Sequence, residues 1–479
     1  MERRKTTITH VGNIEIGGGY ASATDDGTKV NPIRVQSMTT TNTNDTEACV
    51  AQAKRIIDAG GELVRLTTQG VREAENMKNI SAALKSEGIT TPLVADVHFN
   101  AKVADVAALY CEKVRVNPGN YVDPARTFKQ LEYTDEEYAA ELQKIEQKFV
   151  PFLNICKANN TAIRIGVNHG SLSDRIMSRY GDTPAGIVES CLEFLRICQR
   201  EQFQDVVISI KASNTVVMVQ SVRLLAQAME REDMHYPLHL GVTEAGEGED
   251  GRIKSAVGIG ALLTEGIGDT IRVSLSEEPE CEIPVARKLV EFIDECAAKR
   301  EQARIEDDTL YLSFDNESAE DLQLKAAMTA GALLIDGKAK NLAITNSSAT
   351  VPDDSSSVKC SQLADAILQA ARVRFTKPEY ISCPGCGRTL YNLQDTIARI
   401  KSAISKEAET DERFRTLKIG IMGCIVNGPG EMADADFGYV GAGPGRVSLY
   451  RQKKCIEKNI PEANAVEKLL ELIKTELQK

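Results

Sequence analysis

Short runs of β-branched and other apolar residues alternate with longer helical stretches over the first 298 residues. The runs fall at 33–38, 63–67, 93–97, 113–116, 162–167, 206–211, 238–242 and 270–275. Amphipathic stretches such as 47–59 and 183–199 lie between them and predict helices. Strands alternating with helices argue for a parallel β/α architecture. Eight such units predict an α/β fold whose N-terminal part is a TIM (β/α)8 barrel.

Beyond residue 298 the texture changes. A strand is expected at 309–314 and helices at 319–330 and 361–373. The Ser/Asp-rich stretch 346–357 reads as a loop or linker. This middle part carries no recognisable chemistry, so 299–374 is expected to be a small insert or spacer. The last hundred residues predict a second, compact α/β unit over 375–479. Its strands are expected near 378–382, 417–422, 436–440 and 446–452, and its helices at 391–406 and 463–477.

Composition narrows the class. Apolar residues make up 42% and charged residues 26%, ordinary values for a soluble globular protein. The basic N-terminus lacks the apolar run of a signal peptide, and no stretch approaches the length of a membrane span. A cytoplasmic location is expected, and the 12 cysteines are expected to be mostly free thiols. Cys49, Cys111, Cys156, Cys191, Cys198, Cys281 and Cys296 sit singly in apolar or helical patterns and read as small buried hydrophobes. A net charge of −12 argues against broad nucleic-acid or membrane binding. Any anion site must therefore be made locally.

The strands carry that local charge. Four read apolar-Arg-apolar, around Arg65, Arg115, Arg164 and Arg272, and a fifth carries Lys211. A single buried arginine is most simply paired with an acid inside the barrel, or snorkels between helices. Five cations near the C-terminal halves of five strands point elsewhere, because those ends converge on the active site in this fold. Forked guanidinium groups suit a diphosphate. Other polar residues end the strands: Ser37 and Thr39, Asp96 and His98, Asn117, Asn168 and His169, Ser213 and Asn214, Thr243 and Glu244, Ser274 and Ser276. Each alone suits an ordinary turn. His98 also fits a hydrogen-bonded loop histidine, and Glu244 a solvated acid in an acidic, mobile loop over 244–251.

The second chemical signal is Cys383-Pro384-Gly385-Cys386, followed by Cys424 and the run Asn427-Gly428-Pro429-Gly430-Glu431. Three thiolates and one harder, displaceable carboxylate describe an iron–sulfur cluster with a replaceable corner. A redox disulfide would leave Cys424 and the Gly-Pro-Gly-Glu turn without a role. A structural zinc needs a fourth Cys or His, and all 5 histidines lie far upstream. Cys455 stands as a fourth ligand for an all-cysteine cluster, though no glycine turn adjoins it. Residue type and spacing leave iron–sulfur and zinc both open.

The motifs Ser382-Cys383-Pro384-Gly385-Cys386-Gly387-Arg388-Thr389 and Met422-Gly423-Cys424-Ile425-Val426-Asn427-Gly428-Pro429-Gly430-Glu431 closely resemble those of the 4-hydroxy-3-methylbut-2-enyl diphosphate synthases of the non-mevalonate isoprenoid pathway. So do Val35-Gln36-Ser37-Met38-Thr39 and Val114-Arg115-Val116-Asn117-Pro118-Gly119. The run from Glu431 to Gly441 resembles the plant-type branch, which has an extra domain between barrel and cluster domain. The middle segment here is much shorter than that domain. The resemblance implies an iron–sulfur oxidoreductase that opens 2-C-methyl-D-erythritol 2,4-cyclodiphosphate with two electrons and loss of water. It implies a [4Fe–4S] cluster on Cys383, Cys386, Cys424 and Glu431. It places Arg65, Arg115, Arg164, Lys211, Arg272 and Ser274 at the diphosphate, with Asn117, Asn168 and Asn427 orienting substrate. Glu244 is the implied proton donor, with Asp96 and His98 as alternatives. Reduced ferredoxin or flavodoxin is the implied electron source. A homodimer is implied too, the cluster domain of one subunit closing over its partner's barrel.

Overall fold

The structure is a computed structural model that describes residues 2–20, 29–124, 127, 129–347, 354–425 and 428–478, with backbone alone at 354–358. A hairpin opens the chain, β1 (Ile8–Val11) and β2 (Ile14–Gly17). Eight parallel strands follow: β3 (Arg34–Met38), β4 (Leu63–Thr68), β5 (Leu93–Val97), β6 (Lys113–Val116), β7 (Ala162–Asn168), β8 (Val206–Lys211), β9 (His239–Leu240) and β10 (Thr270–Ile271). Their order is β8-β7-β6-β5-β4-β3-β10-β9, and a parallel bridge between Ile208 and Leu238 joins the two ends into a barrel. Every predicted strand is present, although the last two are shorter than their apolar runs.

Side chains alternate across each barrel strand. One set, including Val64, Leu66, Val114, Val116, Ile163 and Ile165, packs outward with the surrounding helices in the main core. The other set faces the barrel axis. At the bottom, Leu63, Val94, Ala162 and Val207 meet Val11 and Ile16 of the hairpin, which stoppers that end with apolar surface. Higher up the inward positions turn polar, and that change prepares the site.

The middle segment is more than a spacer. Strands β11 (Arg304–Glu306), β12 (Thr309–Asp315) and β13 (Asn341–Ser347) form a small sheet in that order. Its Leu310, Leu312 and Phe314 belong to the same core as the barrel helices. Helix Ala319–Ile335 lies directly on barrel helix Gly248–Leu263. The expected linker over 346–357 is corrected at both ends: Asn346 and Ser347 finish β13, and helix Asp354–Ala370 starts earlier than expected. The Ser/Asp composition misled there because Ser and Asp also suit helix starts.

The C-terminal domain is a mixed sheet in the order β14-β15-β16-β17-β18. Its strands are β14 (Glu379–Ser382), β15 (Lys418–Met422), β16 (Phe437–Gly443), β17 (Arg446–Arg451) and β18 (Lys454–Pro461). Helices Leu393–Ala408 and Glu462–Leu477 pack on it around Ile397, Ile419, Ile421, Leu449 and Leu469. Among the described residues no helix is long and apolar enough to cross a membrane.

This domain sits on the mouth of its own barrel. Ala245 pairs with Ser382 in a parallel bridge, and the Ser276 hydroxyl donates to the Cys383 carbonyl at 2.9 Å. Lys254 bonds Glu379 at 3.1 Å, with both side chains buried. These contacts form within one chain, whereas the resemblance implies closure over a partner's barrel.

Candidate functional site

Both motif strands of the C-terminal domain end at the barrel mouth. β14 delivers Cys383 and the turn to Cys386; Gly385 takes a φ of +80°, a left-handed conformation that glycine adopts without strain. β15 delivers Gly423 and Cys424. The Gly423 N–H donates to Cys383 Sγ at 3.2 Å. These three cysteines line one cavity together with Arg65, Arg115, Arg164 and Lys211 from four barrel strands and Arg272, which directly follows β10. Asn168, Thr243, Glu244, Ser274, Met38, Arg388 and Thr389 complete much of its wall.

The cations are unevenly neutralised. Arg115 donates to Asp96 Oδ1 at 2.9 Å and Arg65 to Asp96 Oδ2 at 3.4 Å. Glu282 accepts both arms of Arg272, at 3.0 and 2.8 Å. Arg164 donates to the Ser209 hydroxyl at 2.8 Å. Among the described residues, neither Arg164 nor Lys211 has a carboxylate within salt-bridge reach. Burial, reinforced by neighbouring cations, pulls both well below their ordinary pKa values. The same burial lowers Arg65 to about 10, against the opposing pull of Asp96. A wall of buried, under-neutralised positive charge is a site for an anion.

The three expected acids separate cleanly. Burial opposes charge on Asp96, but Arg65, Arg115 and His98 outweigh it and hold the carboxyl well below the usual range. His98 is buried between Arg115 and Asp96, and desolvation and the Arg115 charge depress it to about 3. Neither lines the cavity; Asp96 holds Arg65 and Arg115, which do. Glu244 does line it, and burial raises its carboxyl. Its Oε2 is buried without a hydrogen-bond partner among the described residues, and its backbone is left-handed at φ 49°. Such strain in a non-glycine residue is typical of a functional position. The expected mobile loop is corrected: Glu244 and Ala245 are buried, and a helix begins at Gly248.

Glu431 is buried and held by the barrel. Asn168 donates to Oε1 at 3.1 Å and Thr243 to Oε2 at 3.0 Å, while Ser213 donates to its carbonyl at 3.0 Å. Burial, then the nearby Glu244 carboxyl, pushes it well above the carboxylate range. The backbones meet without a gap here: a Cβ on Gly170 would lie 2.4 Å from the Glu431 nitrogen, and one on Gly430 1.6 Å from the Gly170 oxygen.

The three thiols on one cavity wall are soft donors of the kind that hold an iron–sulfur group. Cys455, the alternative fourth ligand, pairs with Tyr450 across the β17–β18 ladder and does not line the cavity.

Asn117 stands apart from the cavity wall. It caps the turn that follows β6, accepting from Gly119 at 3.1 Å and donating to Ser171 at 2.8 Å. Asn427 lies outside the described residues. Thr243 and Arg388 were missed as site residues. Thr243 is indistinguishable from a turn threonine in sequence, whereas Arg388 stands two residues after Cys386, and that spacing was the available signal.

Comparison with known proteins identifies both domains. Residues 6–287 match the GcpE TIM-barrel domain and residues 379–475 the GcpE protein C-terminal domain. The 4-hydroxy-3-methylbut-2-en-1-yl diphosphate synthase (flavodoxin) of Bacteroides fragilis is 51% identical, covering 98% of this chain and 96% of its own. The proteins of the same name from Phocaeicola vulgatus and Porphyromonas gingivalis are 51% and 43% identical, covering 98% and 99% of this chain and 98% and 97% of their own. The Bacteroides alignment runs over 621 positions, so against 479 residues at least 142 go unfilled by this chain. A truncated 3-deoxy-D-arabino-heptulosonate 7-phosphate synthase from Thermotoga maritima superposes with a TM-score of 0.36 at 11% identity, over 61% of this chain and 93% of that one, too remote to carry weight. Two matched domains, and relatives alike over nearly the whole length, establish that the chain belongs to the GcpE family.

Proposed function

We propose that the chain reductively opens 2-C-methyl-D-erythritol 2,4-cyclodiphosphate to 4-hydroxy-3-methylbut-2-enyl diphosphate, an isoprenoid precursor. The observation that carries this is the meeting of three thiols and five barrel cations on the wall of one cavity. Two electrons enter, one ring C–O ester bond breaks, and a hydroxyl leaves as water. The diphosphate stays attached through its other ester. Cys383, Cys386, Cys424 and Glu431 would hold a [4Fe–4S] cluster, which supplies the electron transfer when bound.

The chain's own residues do the rest. Arg65, Arg115, Arg164, Lys211 and Arg272 bind the diphosphate, and Ser274 lies beside them on the wall. Asp96 and Glu282 fix the guanidinium forks, so the anion meets donors already aimed. Asn168 orients substrate next to Glu431, a role the resemblance also gives Asn427. Glu244 holds a proton at Oε2 for the departing hydroxyl. Burial by the seated C-terminal domain excludes bulk water and strengthens these interactions. Reduced flavodoxin, the carrier in the relatives' names, is the proposed donor. The site needs no second subunit to complete it.

The test is anaerobic purification, iron and sulfide analysis, and turnover of the cyclodiphosphate with dithionite and a mediator. Protein with about four irons per chain that forms the open diphosphate supports the reading. Replacing Glu431 with Ala should weaken the cluster and abolish turnover. Iron-loaded wild-type protein that leaves the cyclic substrate intact sinks it.

A further inference from the structure

We propose that Arg388 is a substrate-binding residue that the C-terminal domain carries to the barrel mouth, where its guanidinium takes an anionic phosphate oxygen of the ligand. This rests on the diphosphate reading of the cavity. Among the described residues, the other cations of the site stand on or just after a barrel strand, and Arg388 comes from the loop that bears Cys383 and Cys386.

The side chain is 8% exposed, and one arm reaches across the domain boundary, Nη2 donating to Asp96 Oδ2 at 3.3 Å. Its other arm, Nη1, is buried and has no acceptor among the described residues. A buried guanidinium donor without an acceptor is costly, and Arg388 lines the cavity where an acceptor would sit. Charge gives the same answer. Asp96 already serves Arg65 and Arg115, so one carboxylate faces three guanidinium groups. An anion between them supplies both the missing acceptor and the missing charge.

A purely structural Arg388 would need only the Asp96 bond to pin the domain down. It would have no use for a second arm kept buried and unpaired at the ligand cavity. An anion held between Arg388 and the barrel cations also bridges the two domains. Ligand binding and domain seating then favour one another, since each is stronger when the other is present.

The experiment uses the full-length, iron-loaded protein under anaerobic conditions. Calorimetry with inorganic pyrophosphate compares wild type, Arg388→Gln, Arg388→Lys and the surface control Arg413→Gln. Gln should weaken pyrophosphate binding about 10- to 100-fold, with iron content unchanged, because a charge-assisted fork is lost. Lys keeps the charge but not the fork, so its loss should be about 3- to 10-fold. With cyclodiphosphate, the Gln variant should raise KM while kcat stays within about threefold, the mark of lost ground-state binding. Pyrophosphate affinity within about twofold of wild type in an iron-loaded Gln variant overturns the proposal. Should Gln lose iron, Lys decides by the same criterion. Weakened pyrophosphate binding in a protein whose wild type turns over no cyclodiphosphate would uphold Arg388 and fell only the substrate assignment.

Discussion

A carboxylate, an imidazole and a second carboxylate, all buried at one barrel mouth, end in different protonation states because their neighbours differ. On Asp96 the nearby guanidinium groups outweigh burial and keep it ionised; on Glu244 burial outweighs the pull of Thr243, Lys254, Lys211 and Arg272 and raises the carboxyl. His98 is the most easily tested. Its folded value of about 3 lies below the ordinary 6.5, so the folded chain binds fewer protons than the unfolded one between those values. Stability is then complete above about pH 6.5 and falls as pH drops toward 3. Replacing His98 with Gln should shrink the loss between pH 7 and pH 4.5 by about 2–3 kcal/mol. Urea unfolding of the iron-free chain at the two pH values measures it. Equal pH dependence in variant and wild type would show that His98 is not held neutral.

At the level of elements, the telling contact joins helix Gly248–Leu263 to helix Ala319–Ile335. A Cβ on Gly331 would lie 2.6 Å from the Val257 oxygen, and one on Gly260 2.5 Å from Met328 Cγ. The backbones approach closely enough that only glycine fits. Gly331→Leu should cost about 1–3 kcal/mol, the usual penalty of overpacking, read as a lower thermal midpoint. An unchanged midpoint would mean that the middle segment is not docked on the barrel. This docking was invisible in the sequence, because tertiary glycine contacts leave no periodic signal. The barrel strands were legible for the opposite reason: each is a short apolar run, and Arg65, Arg115, Arg164 and Arg272 stand out inside such runs as charges that burial alone would forbid. β18 escaped notice because Lys454–Pro461 is an exposed, charged edge strand with little apolar pattern. The three cysteines that line the cavity were readable from residue type and spacing. The separation of Asp96 from Glu244 was not, since it depends on which charges surround each one in space.

For the molecule as a whole, the consequence is that one chain holds both halves of its site. Ala245 with Ser382, Lys254 with Glu379, Arg388 with Asp96, and Gly170 against Gly430 all join a barrel to its own C-terminal domain. Complementation tests this. Cys424→Ala removes a thiol from the C-terminal half, and Arg164→Gln removes a cation from the barrel half; each should abolish or nearly abolish turnover alone. If halves met across subunits, a freely exchanged mixture would contain hybrid dimers with one intact site, restoring about a quarter of wild-type activity. Closure within a chain allows no such rescue, because every site keeps one lesion whatever the oligomeric state. Co-expressing the two variants with different tags and purifying through both isolates any hybrid. Turnover no higher than that of the separate variants is the expected result. Recovery in the doubly tagged fraction would place the working contact between subunits and make the arrangement within one chain a resting form.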